Sequence, residues 1–188
     1  MNNKLINTIV ESRLNQVLIN ELDSYLINDV KEAYNLQEIV NKRLSSSGLG
    51  DIIGYKIGCT NESIQKELGV NNPIFGPIFN NKIIENNKKI SIKDFIKVGV
   101  ECEIYVKISK EINENTNYNI NNIKNFIGNY GVSLELVENR FLNIKKNKIE
   151  HIIIDGSLGN SIILGKEISN HSVNFSKFIG RLFINNKE

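Results

Sequence analysis

The chain has 188 residues, with 23 lysines and arginines against 21 aspartates and glutamates, a formal net charge of +2. That length suits one domain, or a helical segment plus one domain, and can bury a core without disulfide or metal staples. The near balance of charge leaves no basic stripe for nucleic acid. The amino-terminal "MNNKLINTIVESRLNQVL" mixes charges into its apolar positions, and runs such as "HIIID" are too short for a membrane span, so the chain is expected to be cytoplasmic, neither exported nor membrane-embedded.

Leu5, Ile9, Val10, Leu14, Val17 and Leu18 recur at helical spacing. A second helix is announced by "NDVKEAYNLQEIVNKRL", with Asp29 as N-cap, Glu32 three residues on, and Ala33, Leu36, Val40 and Leu44 as its buried stripe. "SSSGLGD" then breaks the pattern, so residues 1–48 read as a helical segment and 49–188 as a strand-rich domain. In "DIIGYKIGCT" strand alternation puts Ile53, Tyr55, Ile57 and Cys59 on one face and Gly54, Lys56 and Gly58 on the other. A lysine between two strand glycines stands beside empty space; a solvated barrel corner is the plain explanation and a ligand the sharper one.

"TNESIQKELGV" predicts a short helix with Thr60 as cap and Gly69 as stop, and "NNPIFGPIF", with both prolines of the chain, a turn-rich loop. "VGVECEIYVKI" predicts a strand with Glu101 and Glu103 side by side on one face and Val100, Cys102, Ile104 and Val106 on the other. A lone E-x-E is most often a solvated face. "NIKNFIGNYG" reads as a helix and "VSLELVENR" as a strand in which Glu135 shares a face with Ser133 and Val137, among small or apolar neighbours where a solvated glutamate is less expected. "HIIIDGSLGNSIILG" reads as strand, turn, strand, with Asp155 ending the first strand.

Cys59 and Cys102 lie far apart in apolar-patterned strands and read as reduced core residues. His151 and His171 have no ligand-like spacing, and a structural or surface role is expected of each. Three carboxylates on strands make an all-oxygen set that suits Mg²⁺ or Mn²⁺, whereas zinc would want histidine or cysteine. No phosphate-binding loop, dinucleotide fingerprint or G-x-S-x-G elbow is present.

In order and spacing, "AYNLQ", "GYKIGCT", "LGVNNPIFGPIF", "VECEIYV", "SLELVENR" and "IIIDGSLGNSIILG" resemble the 2-keto-4-pentenoate hydratase family, which includes 2-oxohept-4-ene-1,7-dioate hydratases and 4-oxalocrotonate decarboxylases, within the fumarylacetoacetate hydrolase superfamily. The resemblance runs from about residue 29 to the last residue. It implies an α+β fold: the helical segment followed by a mixed β-sandwich roll of the fumarylacetoacetate hydrolase type. It further implies a metal site of Glu101, Glu103 and Glu135 for Mg²⁺ or Mn²⁺, catalytic Lys56 and Asp155, and substrate-binding Gly58, Phe75 and Gly76.

The implied reaction is hydration of a small 2-hydroxy-2,4-dienoate to a 4-hydroxy-2-oxo acid, as in aromatic meta-cleavage catabolism, by a homo-oligomer without nucleic-acid or membrane partners. Two departures from the family pattern stand out. Ile74 occupies a place where many hydratases of the family carry an aspartate suggested to move protons. Family members also continue beyond "GRLFINNKE" with a G-H-P-L helix and a T-G strand that close the pocket, so the chain resembles a member incomplete at its carboxyl terminus, expected to be a poor enzyme and marginally soluble by itself. Decarboxylation of 2-oxo-3-hexenedioate, hydrolysis of an acylpyruvate and a non-catalytic metal- or partner-binding role are the alternatives; the second normally wants a His/Glu pair that is not found.

Overall fold

The structure, a computed structural model, describes residues 2–20, 22, 25–169 and 174–188; the expectation for His171 lies outside them. Helix α1 (Asn2–Asn15) ends where Gln16 adopts φ +56°, so Val17 and Leu18 fall beyond the stripe they were expected to finish. Helix α2 (Val30–Leu44) begins as its sequence predicts. The Asp29 side chain accepts from the Glu32 amide at 2.8 Å, and the Glu32 carboxylate accepts from the Asn28 amide at 2.9 Å. Ala33, Leu36, Val40 and Leu44 are buried as the periodicity requires, joined by Gln37 and Asn41.

Leu5 and Ile9 of α1, Ala33, Val40 and Leu44 of α2, Phe79, Phe141, Ile153 and Ile154 form one apolar cluster, so the helical segment and the strand-bearing region share a core. Each such large side chain contributes roughly 1.5–3 kcal/mol on burial. Strand β1 (Ile52–Gly58) pairs antiparallel with β2 (Ile74–Phe79). Strand β2 occupies the stretch expected to be a loop: Pro77 stands opposite Tyr55, and a strand with one unpaired edge tolerates proline. Helix α3 (Glu62–Leu68) links them, capped by Asn61 rather than Thr60 and stopped by left-handed Gly69.

The second sheet has the order β3-β6-β5-β4, from β3 (Ile83–Ile84), β4 (Val98–Ile108), β5 (Ile127–Glu138) and β6 (Gly159–Leu164). Its pairs are antiparallel except β3 with β6, and neither sheet closes into a barrel among the described residues. Between β4 and β5 lies only a one-turn helix α4 (Ile120–Ile123) and a tight turn, so Ile127 and Tyr130 belong to the strand and not to the expected helix. The stretch from His151 to Asp155, expected as a strand, instead lies in and caps helix α5 (Ile149–Ile154). A run of isoleucines buried on every side satisfies either structure, and periodicity cannot separate them.

The apolar and polar faces of β1 are inverted relative to an ordinary amphipathic strand. Ile53, Tyr55 and Ile57 are exposed, while Gly54, Lys56 and Gly58 turn inward. Cys102 is likewise exposed on the open apolar face of edge strand β4 and is not the core residue expected from its pattern, whereas Cys59, half-buried, packs against the apolar core. No helix of the described residues is long and apolar enough to cross a membrane.

Candidate metal and acid–base site

The register between β4 and β5 sets Glu101 directly opposite Glu135 and Glu103 opposite Ser133. Side chains of opposed residues project to the same face, so three carboxylates converge, each offering an oxygen within 4.8 Å of the others. Glu101 is exposed, Glu103 half-buried and Glu135 buried, giving the cluster an open side and a closed one. Burial pushes the Glu135 carboxyl above the ordinary glutamate range, against the pull of Lys56. Burial, reinforced by Glu101, raises Glu103 as well.

Strand β2 lies beside β6, which carries β1 with it and brings Lys56 onto the closed side of the cluster. The Lys56 ammonium is 3.3 Å from Glu135 Oε1 and donates to the Ser157 carbonyl at 3.2 Å, with only 10 % of its side chain exposed. A Cβ on Gly58 would stand 3.5 Å from Lys56 Nζ, and one on Gly159 would stand 3.6 Å from Glu135 Oε1. Both glycines therefore line the lysine–carboxylate contact. The cleft between Lys56, Glu135, Pro77, Ile78 and Gly159 to Ile162 holds about 20 Å³, room for a water rather than for an organic acid, so any substrate must approach from the Glu101 side.

The donor set fits a hard divalent cation. Three carboxylates against one lysine leave two negative charges uncompensated, and all the donors are oxygen. The buried Ser133 hydroxyl, level with Glu103 across the strands, has no hydrogen-bond partner among the described residues, as a polar atom beside a hydrated ion would when the ion's waters are absent.

The remaining site expectations fall elsewhere. The Asp155 carboxylate is not brought to the cluster: it is fully buried, 2.9 Å from Arg140 Nη1. Phe75 stacks on Tyr34 at 4.2 Å, with Tyr55 on its edge at 5.7 Å. Its amide donates to the Tyr34 hydroxyl, and its carbonyl accepts from Gln37 Nε2 and Ser157 Oγ. A Cβ on Gly76 would meet the Gly156 carbonyl oxygen at 2.1 Å, so this glycine serves a close backbone approach rather than an open pocket.

Sequence reading missed Arg13, Arg140 and Glu138, which surround Asp155. Arg13 stands four residues after the fully buried Ile9, on the face that α1 turns to the core, and a charge in that position is the signal that could have found it.

No protein-family model matches the chain. It is 31% identical over 84 residues to the TodF product hydratase of Pseudomonas putida, covering 45% of this chain and 31% of that one. Over 147 residues it is 25% identical to 2-keto-4-pentenoate hydratase 1 of Dechloromonas aromatica, covering 78% and 55%. The chain thus spans about a third to about a half of the length of these curated relatives. Among solved structures, 4-oxalocrotonate decarboxylase from Pseudomonas putida G7, complexed with magnesium and adipate, superposes with a TM-score of 0.82 at 20% identity, over 89% of this chain and 64% of that one. The same enzyme with calcium and acetate gives 0.79 at 19% identity, over 89% and 63%. The architecture is the α+β fold of the fumarylacetoacetate hydrolase type.

Proposed function

From the premise that this chain is a relative of the 2-keto-4-pentenoate hydratases with the fold of 4-oxalocrotonate decarboxylase, we propose that it is a divalent-cation-dependent hydro-lyase. In this reading it adds water to a 2-hydroxy-2,4-dienoate and yields a 4-hydroxy-2-oxo acid. The observation that carries the reading is one contact: Lys56 Nζ lies 3.3 Å from Glu135, the buried member of the three-glutamate cluster.

Glu101, Glu103 and Glu135 would hold one Mg²⁺ or Mn²⁺, for which the magnesium and calcium in the two decarboxylase structures are the support. When bound, that cation supplies positive charge that stabilises the enolate form of a chelated 2-oxo acid. Lys56, largely withdrawn from water and held between Glu135 and the Ser157 carbonyl, carries the proton that leaves or joins C3 of the substrate. Gly58 leaves the space beside the ammonium that the substrate carbon needs. Phe75, 38% exposed and braced by Tyr34, offers an apolar wall to the dienoate chain.

Ile74 is buried in the core and takes no part in proton transfer, so Lys56 with Glu135 is the acid–base machinery on hand. A second reading, decarboxylation of 2-oxo-3-hexenedioate, is favoured by the fold match and by Ile74 itself, because loss of CO₂ needs no residue to activate water. Free Cys59 and Cys102 suit a reducing cytoplasm, and the exposed Ile53, Tyr55 and Ile57 suit burial in a homo-oligomer. The chemistry suits the catabolism of aromatic compounds. The test is consumption of 2-hydroxypenta-2,4-dienoate, followed by its ultraviolet absorbance, in Mg²⁺ and after chelation. Hydration that stops on chelation and in Lys56→Met supports the reading, CO₂ release from 2-oxo-3-hexenedioate alone supports the second, and turnover indifferent to both changes excludes each.

A further inference from the structure

The Ser157 carbonyl that receives the Lys56 ammonium belongs to a turn the backbone does not adopt willingly. Gly156, Ser157 and Leu158 take φ of +87°, +54° and +62° in succession. The two non-glycine residues each cost on the order of 1 kcal/mol or more in that region. Two guanidinium groups grip both ends of the turn from the core side. Arg13 Nη1 donates to the Asp155 carbonyl at 2.5 Å and Nη2 to the Gly159 carbonyl at 3.4 Å. Arg140 Nη2 donates to the same Gly159 carbonyl at 3.0 Å, while its Nη1 pairs with the Asp155 carboxylate at 2.9 Å and its Nη2 with Glu138 at 3.1 Å. On the other side, Ser157 Oγ donates to the Phe75 carbonyl at 2.9 Å.

All four charged groups are buried. Such networks are poor sources of stability, because desolvation offsets most of the Coulomb gain and apolar replacements of equal volume are often as stable. Burial and the charge of Arg140 lower the Arg13 guanidinium to about 10, which marks the cost of holding a second cation there. What the network supplies is geometry. Arg13 joins the main-chain carbonyls at both ends of the turn, Asp155 and Gly159, whereas Arg140 ties the Asp155 side chain to the Gly159 carbonyl, and Arg13 comes from helix α1, far from the turn in sequence.

We propose that Arg13, assisted by Arg140 and Asp155, is a positioning residue for Lys56: it clamps the Asp155–Gly159 turn so that the Ser157 carbonyl holds the ammonium against Glu135. The proposal rests on the acid–base role given to Lys56 above, and it makes Asp155 an anchor of the turn rather than a proton carrier.

The test uses the full chain, Arg13→Met and Arg13→Lys, with Lys56→Met as reference. Nitrogen-15 spectra of labelled lysine ammonium groups identify Lys56 by the signal that Lys56→Met removes. In both Arg13 variants that signal is expected to broaden or vanish, while Mg²⁺ affinity by calorimetry changes less than about threefold, since no carboxylate of the cluster is touched. Exchange of the C3 protons of a bound 2-oxo acid should fall at least about tenfold, and Arg13→Met in the Lys56→Met background should lower it no further. Arg13→Lys keeps the buried charge but cannot bridge both carbonyls, so it decides the matter if Arg13→Met does not fold. A lowered melting temperature with an unchanged Lys56 signal, or losses that add in the double variant, would overturn the clamp. If the parent chain exchanges no C3 protons at all, the hydro-lyase reading fails while the Lys56 signal still decides the clamp.

Discussion

Replacing Glu103 by glutamine should stabilise the cation-free protein and weaken its grip on Mg²⁺ at the same time. Oxygens within 4.8 Å of one another repel by about 3.5 kcal/mol per pair at an effective dielectric near 20. Glu103 meets two such neighbours and one attraction, from Lys56, and half of its surroundings are water, so screening leaves a net relief of about 1 kcal/mol. For a chain of this size that is a rise of roughly 2–4 °C in melting temperature. Loss of a ligand charge should cut Mg²⁺ affinity at least about tenfold. At a Mg²⁺ concentration 100 times the parent's Kd, the parent gains about 2.7 kcal/mol and the variant about 1.4 kcal/mol. Its advantage of about 1 kcal/mol is then erased. Thermal unfolding with and without Mg²⁺ reads both effects. A variant less stable than the parent without Mg²⁺, or shifted equally by it, would return the glutamates to a solvated strand face.

Lys56→Met should leave the fold intact and Mg²⁺ affinity equal or higher, because a cation beside Glu135 is removed, yet lower C3 proton exchange by about a hundredfold or more in deuterated buffer. Cation-free stability should fall as pH rises through and above 4.5, the ordinary glutamate value: burial raises Glu103 and Glu135 in the folded state, so that state binds more protons than the unfolded one in this window. Denaturant titrations across pH should display that decline without Mg²⁺ and little of it at saturation. Gly76→Ala should cost about 2 kcal/mol or more, since its Cβ would lie 2.1 Å from the Gly156 carbonyl oxygen; urea unfolding measures it, and a neutral result would contradict the interlock of β2 with the turn.

Local pattern made α2 legible, down to the Asp29 cap and its four apolar positions, because cap chemistry and 3.6-residue spacing are short-range signals. The face shared by Glu101 and Glu103 was legible for the same reason. That Glu135 stands opposite Glu101 depends on the register between β4 and β5, a long-range property that the strands' own patterns do not determine. Helix α5 was misread because isoleucines buried all round leave no periodic face, and β2 because Pro73 before it and Pro77 within it point to a loop unless the free edge is known. Arg13 carried a local signal, a charge four residues after Ile9 on the apolar stripe of α1, but not its partner: the turn that carries Ser157, far along the chain, explains its burial.

The proposed function requires that Glu101, Glu103 and Glu135 hold one divalent cation within reach of Lys56. Anomalous diffraction from crystals grown with Mn²⁺ tests it most directly. A single peak bounded by oxygens of all three carboxylates at about 2.0–2.3 Å is expected, and its loss in Glu101→Gln/Glu103→Gln crystals grown alike. Full Mn²⁺ exposure that leaves no peak there, or a peak that persists in the double variant, would contradict it.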